Sequence, residues 1–123
     1  MKVLLSIKPQ YADKIFNGTK VYEYRRAIFK NPDVRIVVVY SSSPVKKVIG
    51  EFEIDKVITQ DVKTLWGKTK KGAGITEKVF YKYFGNKVQG SAIKIKSTKL
   101  YGIPKCIRED YALSPPQSFL YLF

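Results

Sequence analysis

The chain contains no histidine and only one cysteine, Cys106, among its 123 residues. The absence of histidine excludes Ser–His–Asp triads, histidine general bases and the common zinc sites. A single cysteine can form neither an internal disulfide nor a CxxC metal site. We therefore expect no metal and no cofactor, and a reducing compartment such as the cytoplasm.

Long hydrophobic runs are also missing. No apolar stretch approaches the ~18 to 20 residues that cross a membrane. The apolar start, Val3–Leu5, is too short for a signal peptide and is soon followed by Lys8. Hydrophobic residues make up 45% and charged residues 27% of the chain, which excludes disordered and collagen-like classes. We expect one domain over residues 1–123, monomeric and without a membrane partner.

Acidic residues are scarce: 10 Asp and Glu stand against 23 Lys and Arg, for a formal charge of +13. The basic excess is spread over all three thirds of the chain, so we expect it on the surface of a folded domain and not in a disordered tail. Most of the basic residues are lysines, which act as point charges, whereas arginine reads bases and phosphates with two donors. The charge therefore predicts attraction to the phosphates of a nucleic acid, the alternative being a solvated surface with no partner.

Hydrophobic periodicity predicts about six strands and three short helices, which is an α+β fold. Pro9 suits the first turn of a helix, and Gly18 and Gly85 suit the ends of helices. Many short strands in a chain of this size usually curl into a barrel or half-barrel. The predicted strands are 2–8, 19–26, 35–41, 48–57, 89–99 and 119–122; the predicted helices are 11–17, 64–69 and 76–84, with a loop or short helix at 104–111.

A cluster of charges follows the first helix, in the stretch Gly18–Arg26. Residues two apart share a face of a strand, so Glu23 and Arg25 are expected to lie side by side. Lys20 follows the Gly18 turn, which can direct it toward Glu23. Lys, Glu and Arg side chains gathered at one corner suit an anionic or amide-bearing ligand. The alternative is an edge-strand ion pair that sets the register.

The pattern Gly18-x-Lys20-x-x-Glu23-x-Arg25 resembles the GxKxxExR signature of the ASCH domain family. That family is built on a small β-barrel related to the PUA domain, an RNA-binding module. The resemblance implies a PUA-like barrel of about six strands with two or three short helices. Flanking segments agree with the family along nearly the whole chain: Ser6–Pro9, Tyr40–Pro44, Val48–Phe52 and Pro115–Phe119.

The resemblance also implies a cleft between the first helix and the signature strand, which takes RNA or a modified nucleoside. Four further residues, from the neighbouring strand and the C-terminal segment, are weaker candidates because turn and core-edge roles explain them equally well. The residues implied to line or support the cleft are Lys8, Lys20, Glu23, Arg25 and Arg26, with Ser41, Ser42, Ser118 and Tyr121 as these four.

A second basic segment, Lys68–Thr76, is predicted to be a flexible loop that enters a capped helix. Its backbone N–H groups can hold a phosphate, although its sequence is not a P-loop. We hypothesise that Lys70 and Lys71, with Lys46 and Lys47, supply phosphate contacts that extend from the cleft. The alternative is a solvated loop.

RNA binding at the signature cleft is the function that the sequence favours. An alternative is an enzyme centred on Lys20 and Glu23, because some relatives are ribonucleases and others are amidohydrolases of acetylated cytidine. Those amidohydrolases use a Lys–Thr–Glu arrangement. Lys20 of this chain matches the lysine of that arrangement, and Glu23 occupies the position of the threonine. Positive neighbours that lower the pKa of Lys20 would let it act as an acid or base. A third reading is a protein-interaction module.

Overall fold

The computed structural model describes residues 1–123 and contains six strands and four helices. None of the helices is both long enough and apolar enough to cross a membrane. A single 3₁₀ turn, Lys70–Gly72, follows the second helix. The elements are β1 (Lys2–Ile7), α1 (Pro9–Phe16), β2 (Tyr22–Arg25), β3 (Ile36–Ser41), β4 (Lys47–Asp61), α2 (Val62–Thr69), α3 (Glu77–Phe84), β5 (Gln89–Lys105), α4 (Ile107–Tyr111) and β6 (Phe119–Leu122).

All six strands belong to one sheet with the order β2-β5-β4-β3-β1-β6. Only β1 and β3 run parallel, and the other neighbours are antiparallel. The α+β class and the six strands are confirmed. The predicted β-barrel is not confirmed, because β2 and β6 are the two ends of the sheet and do not pair. A side chain spans this gap instead: Arg25 donates to the carbonyl of Ser6 at 3.3 Å and to that of Ser118 at 2.8 Å.

Helix α1 packs against β3 and β5 of the sheet. Pro9 lies in its first turn, Ala12 and Ile15 form its buried face, and Gly18 follows its end with a φ of +85°. A Cβ at Gly50 of β4 would lie 2.7 Å from the Phe16 ring, so the absence of a side chain there lets the helix pack closely. Each buried Ile or Phe in such a core contributes about 1.5–3 kcal/mol.

Helices α2 and α3 pack beside β2 and β5 in a second apolar cluster that contains Leu65, Phe80 and Phe84. The hydroxyl of Thr76 accepts a hydrogen bond from the Val79 N–H at the start of α3, as the sequence predicted. Helix α3 ends at Gly85, also as predicted.

The largest differences from the predicted boundaries are in three strands. Strand β2 begins at Tyr22 instead of residue 19, because the N–H groups of Thr19 and Lys20 both donate to the carbonyl of Lys14 and extend the end of α1. Strands β4 and β5 pair with each other beyond their predicted ends, to Asp61 and Lys105. The short helix α4 lies within the segment predicted to be a loop or short helix, and the Asp110 carboxylate accepts from the Cys106 N–H at its start.

Candidate functional site

A cavity of about 640 Å³ opens between α1, β2 and α3. Its size lies within the usual range of small-molecule sites, about 300–1,000 Å³. Most of the charged lining groups lie on or next to β2, and Val79, Lys82 and Tyr83 line the cavity from α3. The lining consists of Ser6, Ile7, Lys8, Tyr11, Lys20, Glu23, Tyr24, Arg25, Arg26, Ile75, Val79, Lys82, Tyr83 and Gln117.

Lys20 is the most deeply buried charge of the molecule, with 2% of its surface exposed. Its Nζ donates to the carbonyl of Ala73 at 2.7 Å and lies 4.8 Å and 5.5 Å from the ring centres of Tyr24 and Tyr11. Burial lowers the pKa of Lys20 from 10.5 to about 8, against the opposing charge of Glu23. The amine therefore gains and loses its proton within reach of neutral pH.

Glu23 is buried beside Lys20 and Arg25. Its Oε2 accepts from Arg25 Nη1 at 3.2 Å, so the pairing expected from strand alternation is present. Its Oε1 has no hydrogen-bond partner within the protein. Every fully buried polar side-chain atom of the molecule has a partner, so Oε1 is not fully buried. Because Glu23 lines the cavity, we infer that Oε1 faces it. Burial raises the pKa of Glu23, while the Lys20 and Arg25 charges oppose that rise. We call Lys20, Glu23 and Arg25 the cavity floor. The floor thus offers a free carboxylate oxygen near an amine.

Arg25 mainly holds Glu23 and the neighbouring backbone in position. Its guanidinium donates to Glu23 and to two backbone carbonyls, those of Ser6 and Ser118. These bonds hold the β2 edge of the sheet to β1 and to the segment before β6. They also orient the Glu23 carboxylate, so that only one of its oxygens remains free for a ligand.

Arg26 and Tyr83 form a pair at the rim. The Arg26 N–H donates to the Tyr83 hydroxyl at 3.2 Å, and the guanidinium carbon lies 5.3 Å from the centre of the tyrosine ring. On the same helix, Phe80 and Phe84 are buried in the core, whereas Val79 and Tyr83 line the cavity.

Three apolar side chains that recur every four residues, Ile75 just before α3 and Val79 and Tyr83 on α3, line the cavity. A basic residue, Lys82, lies next to them and is exposed. The spacing alone does not distinguish this lining face from the adjacent core face that carries Phe80 and Phe84, so the sequence did not predict the cavity wall.

Of the predicted residues, the structure brings Lys8, Lys20, Glu23, Arg25 and Arg26 together around the cavity. The remaining eight do not line it. The exposed lysines lie in two places, with Lys46 and Lys47 at the entry to β4 and Lys70 and Lys71 in the 3₁₀ turn.

The four polar residues predicted beside the cleft have structural contacts. Ser41 is buried in register with Ile7, and the Ser42 N–H donates to the Ile7 carbonyl at 2.9 Å. Ser118 takes part only through its carbonyl, which accepts from Arg25. The Tyr121 hydroxyl accepts from two backbone N–H groups of the loop before β3, at 3.2 and 3.3 Å. Turn and core-edge packing explain these positions.

The family model of the ASCH domain matches residues 5–99. The chain belongs to the ASCH domain family. It is 29% identical over 127 residues to a protein of Zymomonas mobilis named ASCH domain-containing ribonuclease, and the match covers 98% of this chain and 84% of that protein. The crystal structure of ASCH from Zymomonas mobilis superposes with a TM-score of 0.90 at 28% identity, covering 99% of this chain and 87% of the other.

Two further relatives are longer proteins of Ureaplasma parvum. One is named ATP synthase subunit alpha and is 30% identical over 121 residues, which cover 98% of this chain and 15% of that protein. The other, named large ribosomal subunit protein uL22, is 30% identical over 122 residues, which cover 98% of this chain and 39% of that protein. The chain thus spans less than half the length of either relative.

Proposed function

We propose that this chain binds RNA through the cavity between α1, β2 and α3. The observation that carries the proposal is the free Oε1 of Glu23 beside the Lys20 amine, at the floor of a cavity with a basic rim. Membership of the ASCH family, and a relative named a ribonuclease, support RNA as the polyanion. The charge of +13 supports the same partner.

The two parts of the cavity suit two parts of a nucleotide. Lys8 and Lys82 at the rim attract phosphates without regard to sequence. On the floor, a carboxylate oxygen accepts from base N–H groups while the Lys20 ammonium donates to base oxygens or ring nitrogens. Apolar and aromatic side chains of the α3 wall provide a surface for a ring. An unpaired nucleotide fits this arrangement, because the bases of a duplex are stacked and paired.

The experiment is retention of total RNA by the wild-type chain, by a Lys20→Ala variant and by a Lys96→Ala control. Lys96 is exposed and pairs with Glu53, and neither residue lines the cavity. We expect the wild type and the control to retain RNA, and Lys20→Ala to lose about tenfold or more in affinity, the equivalent of ~1.4 kcal/mol. If the wild type retains no RNA, the proposal is wrong.

A second candidate function is an enzyme acting on RNA or on a modified nucleoside, as a ribonuclease or an amidohydrolase of acetylated cytidine. The specific observation in its favour is the Lys20 pKa of about 8, which lies near the range in which an acid–base catalyst works best. The sequence hypothesis attributed such a shift to positive neighbours. Burial is the larger cause, and Lys14 adds to it.

The same incubation separates the candidates when acetylated cytidine is added and products are measured. Product that disappears in Lys20→Ala, while RNA affinity persists, favours the enzyme. Retention without product favours the binder. Neither retention nor product favours the protein-interaction module.

We further propose that residues 1–123 act as one monomeric domain in the cytoplasm. The free thiol of Cys106 suits a reducing compartment. Repulsion between copies that each carry a charge of +13 disfavours self-association. A particle of twice the monomer mass in low-salt gel filtration would contradict the monomer.

A further inference from the structure

The glycine-containing segment Gly72–Gly74 contacts the signature residues instead of extending into solvent. Its three consecutive carbonyls accept from three different groups. The Gly72 carbonyl accepts from the Val21 N–H at 2.9 Å and the Ala73 carbonyl from Lys20 Nζ at 2.7 Å. The Gly74 carbonyl accepts from Lys14 Nζ at 3.1 Å. We call residues 72–74 the carbonyl strap.

The two glycines allow the strap to come this close. A Cβ on Gly74 would lie 2.5 Å from the Cβ of Lys20, and a Cβ on Gly72 would overlap the side chain of Val21. Gly74 also has a φ of +66°, which other residues rarely adopt. A side chain at either position must therefore push the strap away from β2 or distort it.

We propose that the carbonyl strap positions the Lys20 amine on the cavity floor, which makes Gly72, Ala73 and Gly74 positioning residues of the site. The proposal rests on the proposed function of the cavity. A free lysine side chain loses about 1.5–2 kcal/mol of conformational entropy when it is ordered. The Ala73 carbonyl and the two tyrosine rings hold the amine before any ligand arrives, so a ligand does not bear that cost.

The strap also keeps water from Lys20. Gly74 lies against the Cβ and Cγ of Lys20, the Ala73 carbonyl accepts from its Nζ, and burial is the main cause of the lowered pKa of Lys20. A strap that merely packs against the sheet would affect stability alone. A strap that positions and dehydrates the amine must also change its titration, and this difference makes the proposal testable.

The test follows the titration of Lys20 by NMR of ¹³Cε-labelled lysine, without RNA, in the wild type and in Gly74→Ala. We expect a midpoint near 8 in the wild type and a midpoint displaced toward 10.5 in the variant, since the loss of burial removes the largest lowering effect. The matched control is Gly67→Ala in α2, where a Cβ meets no atom within 4 Å. Its Lys20 midpoint should equal that of the wild type.

Gly72→Ala provides a second variant without the positive φ, in case Gly74→Ala does not fold. A folded strap variant whose Lys20 titrates as in the wild type overturns the proposal. A wild-type Lys20 that titrates near 10.5 overturns it as well, whether or not the variants fold. RNA retention is measured on the same samples. If the wild type retains no RNA but its Lys20 titrates with a midpoint near 8, the proposed function is wrong and the proposal for the carbonyl strap still holds.

Discussion

The floor and the rim of the cavity both carry positive charges, but in opposite environments. On the floor, Lys20, Glu23 and Arg25 are largely removed from water, and each has a hydrogen-bond partner in the protein. At the rim, Lys8 and Lys82 are exposed and form no ion pair. Burying a charge has a free-energy cost that exposed lysines do not bear. A charge on the floor therefore depends on the positions of its partners, whereas a lysine at the rim acts through its charge alone. The floor should select the ligand and the rim should attract it.

The largest effect that separates the two regions is expected for Glu23→Ala. The substitution leaves Arg25 short of a partner and the Lys20 ammonium without a nearby counter-charge. Removing one member of a buried pair typically costs about 3–5 kcal/mol. Denaturant unfolding should show this loss in the free energy of unfolding.

Glu53→Ala is the matched control, because it removes a partly exposed carboxylate that lies 3.4 Å from Lys96 Nζ. Exposed pairs contribute about 0–1 kcal/mol, so the expected loss is small. Equal losses for the two variants would contradict the distinction between a buried floor and a solvated surface.

The next effect is a pH dependence that belongs to Lys20. Its pKa is about 8 in the native state and 10.5 in an unfolded chain, so between these values the unfolded state holds the extra proton. The free energy of unfolding therefore rises with pH in this window. At 1.36 kcal/mol per pKa unit, the gain from pH 8 to about 9.5 is at most ~2 kcal/mol. Unfolding of the wild type and of Lys20→Met at both pH values measures it, and a rise of the same size in both proteins would be evidence against a buried Lys20.

The smallest effect is expected for the double charge reversal Lys70→Glu and Lys71→Glu. Both lysines are exposed beside the cavity and do not line it, so they act only through their field. RNA affinity should fall severalfold, and the plot of log affinity against log salt should become flatter. Measurements of affinity over a salt series check this, and an unchanged slope would remove these lysines from the interface.

Local signals predicted the elements that surround the site. Pro9 and Gly18 bracket α1, and Thr76 and Gly85 bracket α3, because each residue acts on the backbone next to it. The closure of the sheet could not be predicted in this way. Whether β2 joins the other edge by a backbone ladder or by the Arg25 side chain depends on the curvature of the whole sheet.

The site was predictable to the extent that its residues are close in sequence. Alternation along one strand predicted that Glu23 and Arg25 pair. The partner of Lys20 was not predictable, because the Ala73 carbonyl is 53 residues away. Gly72 and Gly74 signal a close approach, but the sequence does not say what they approach. The basic residues around them suggested a solvated loop, or a loop that contacts phosphate, and neither interpretation predicts contact with Lys20.

RNA affinity over a salt series, for the wild type, Lys20→Met and Lys82→Met, tests most directly whether floor and rim act differently on one ligand. Rim contacts weaken as salt rises from about 50 to 200 mM. We predict that Lys82→Met binds a few-fold less tightly at low salt and approaches the wild type at high salt. Lys20→Met should remain about tenfold weaker at every salt concentration. If the affinity of Lys20→Met equals that of the wild type, RNA does not contact the cavity floor, and the proposed site is wrong.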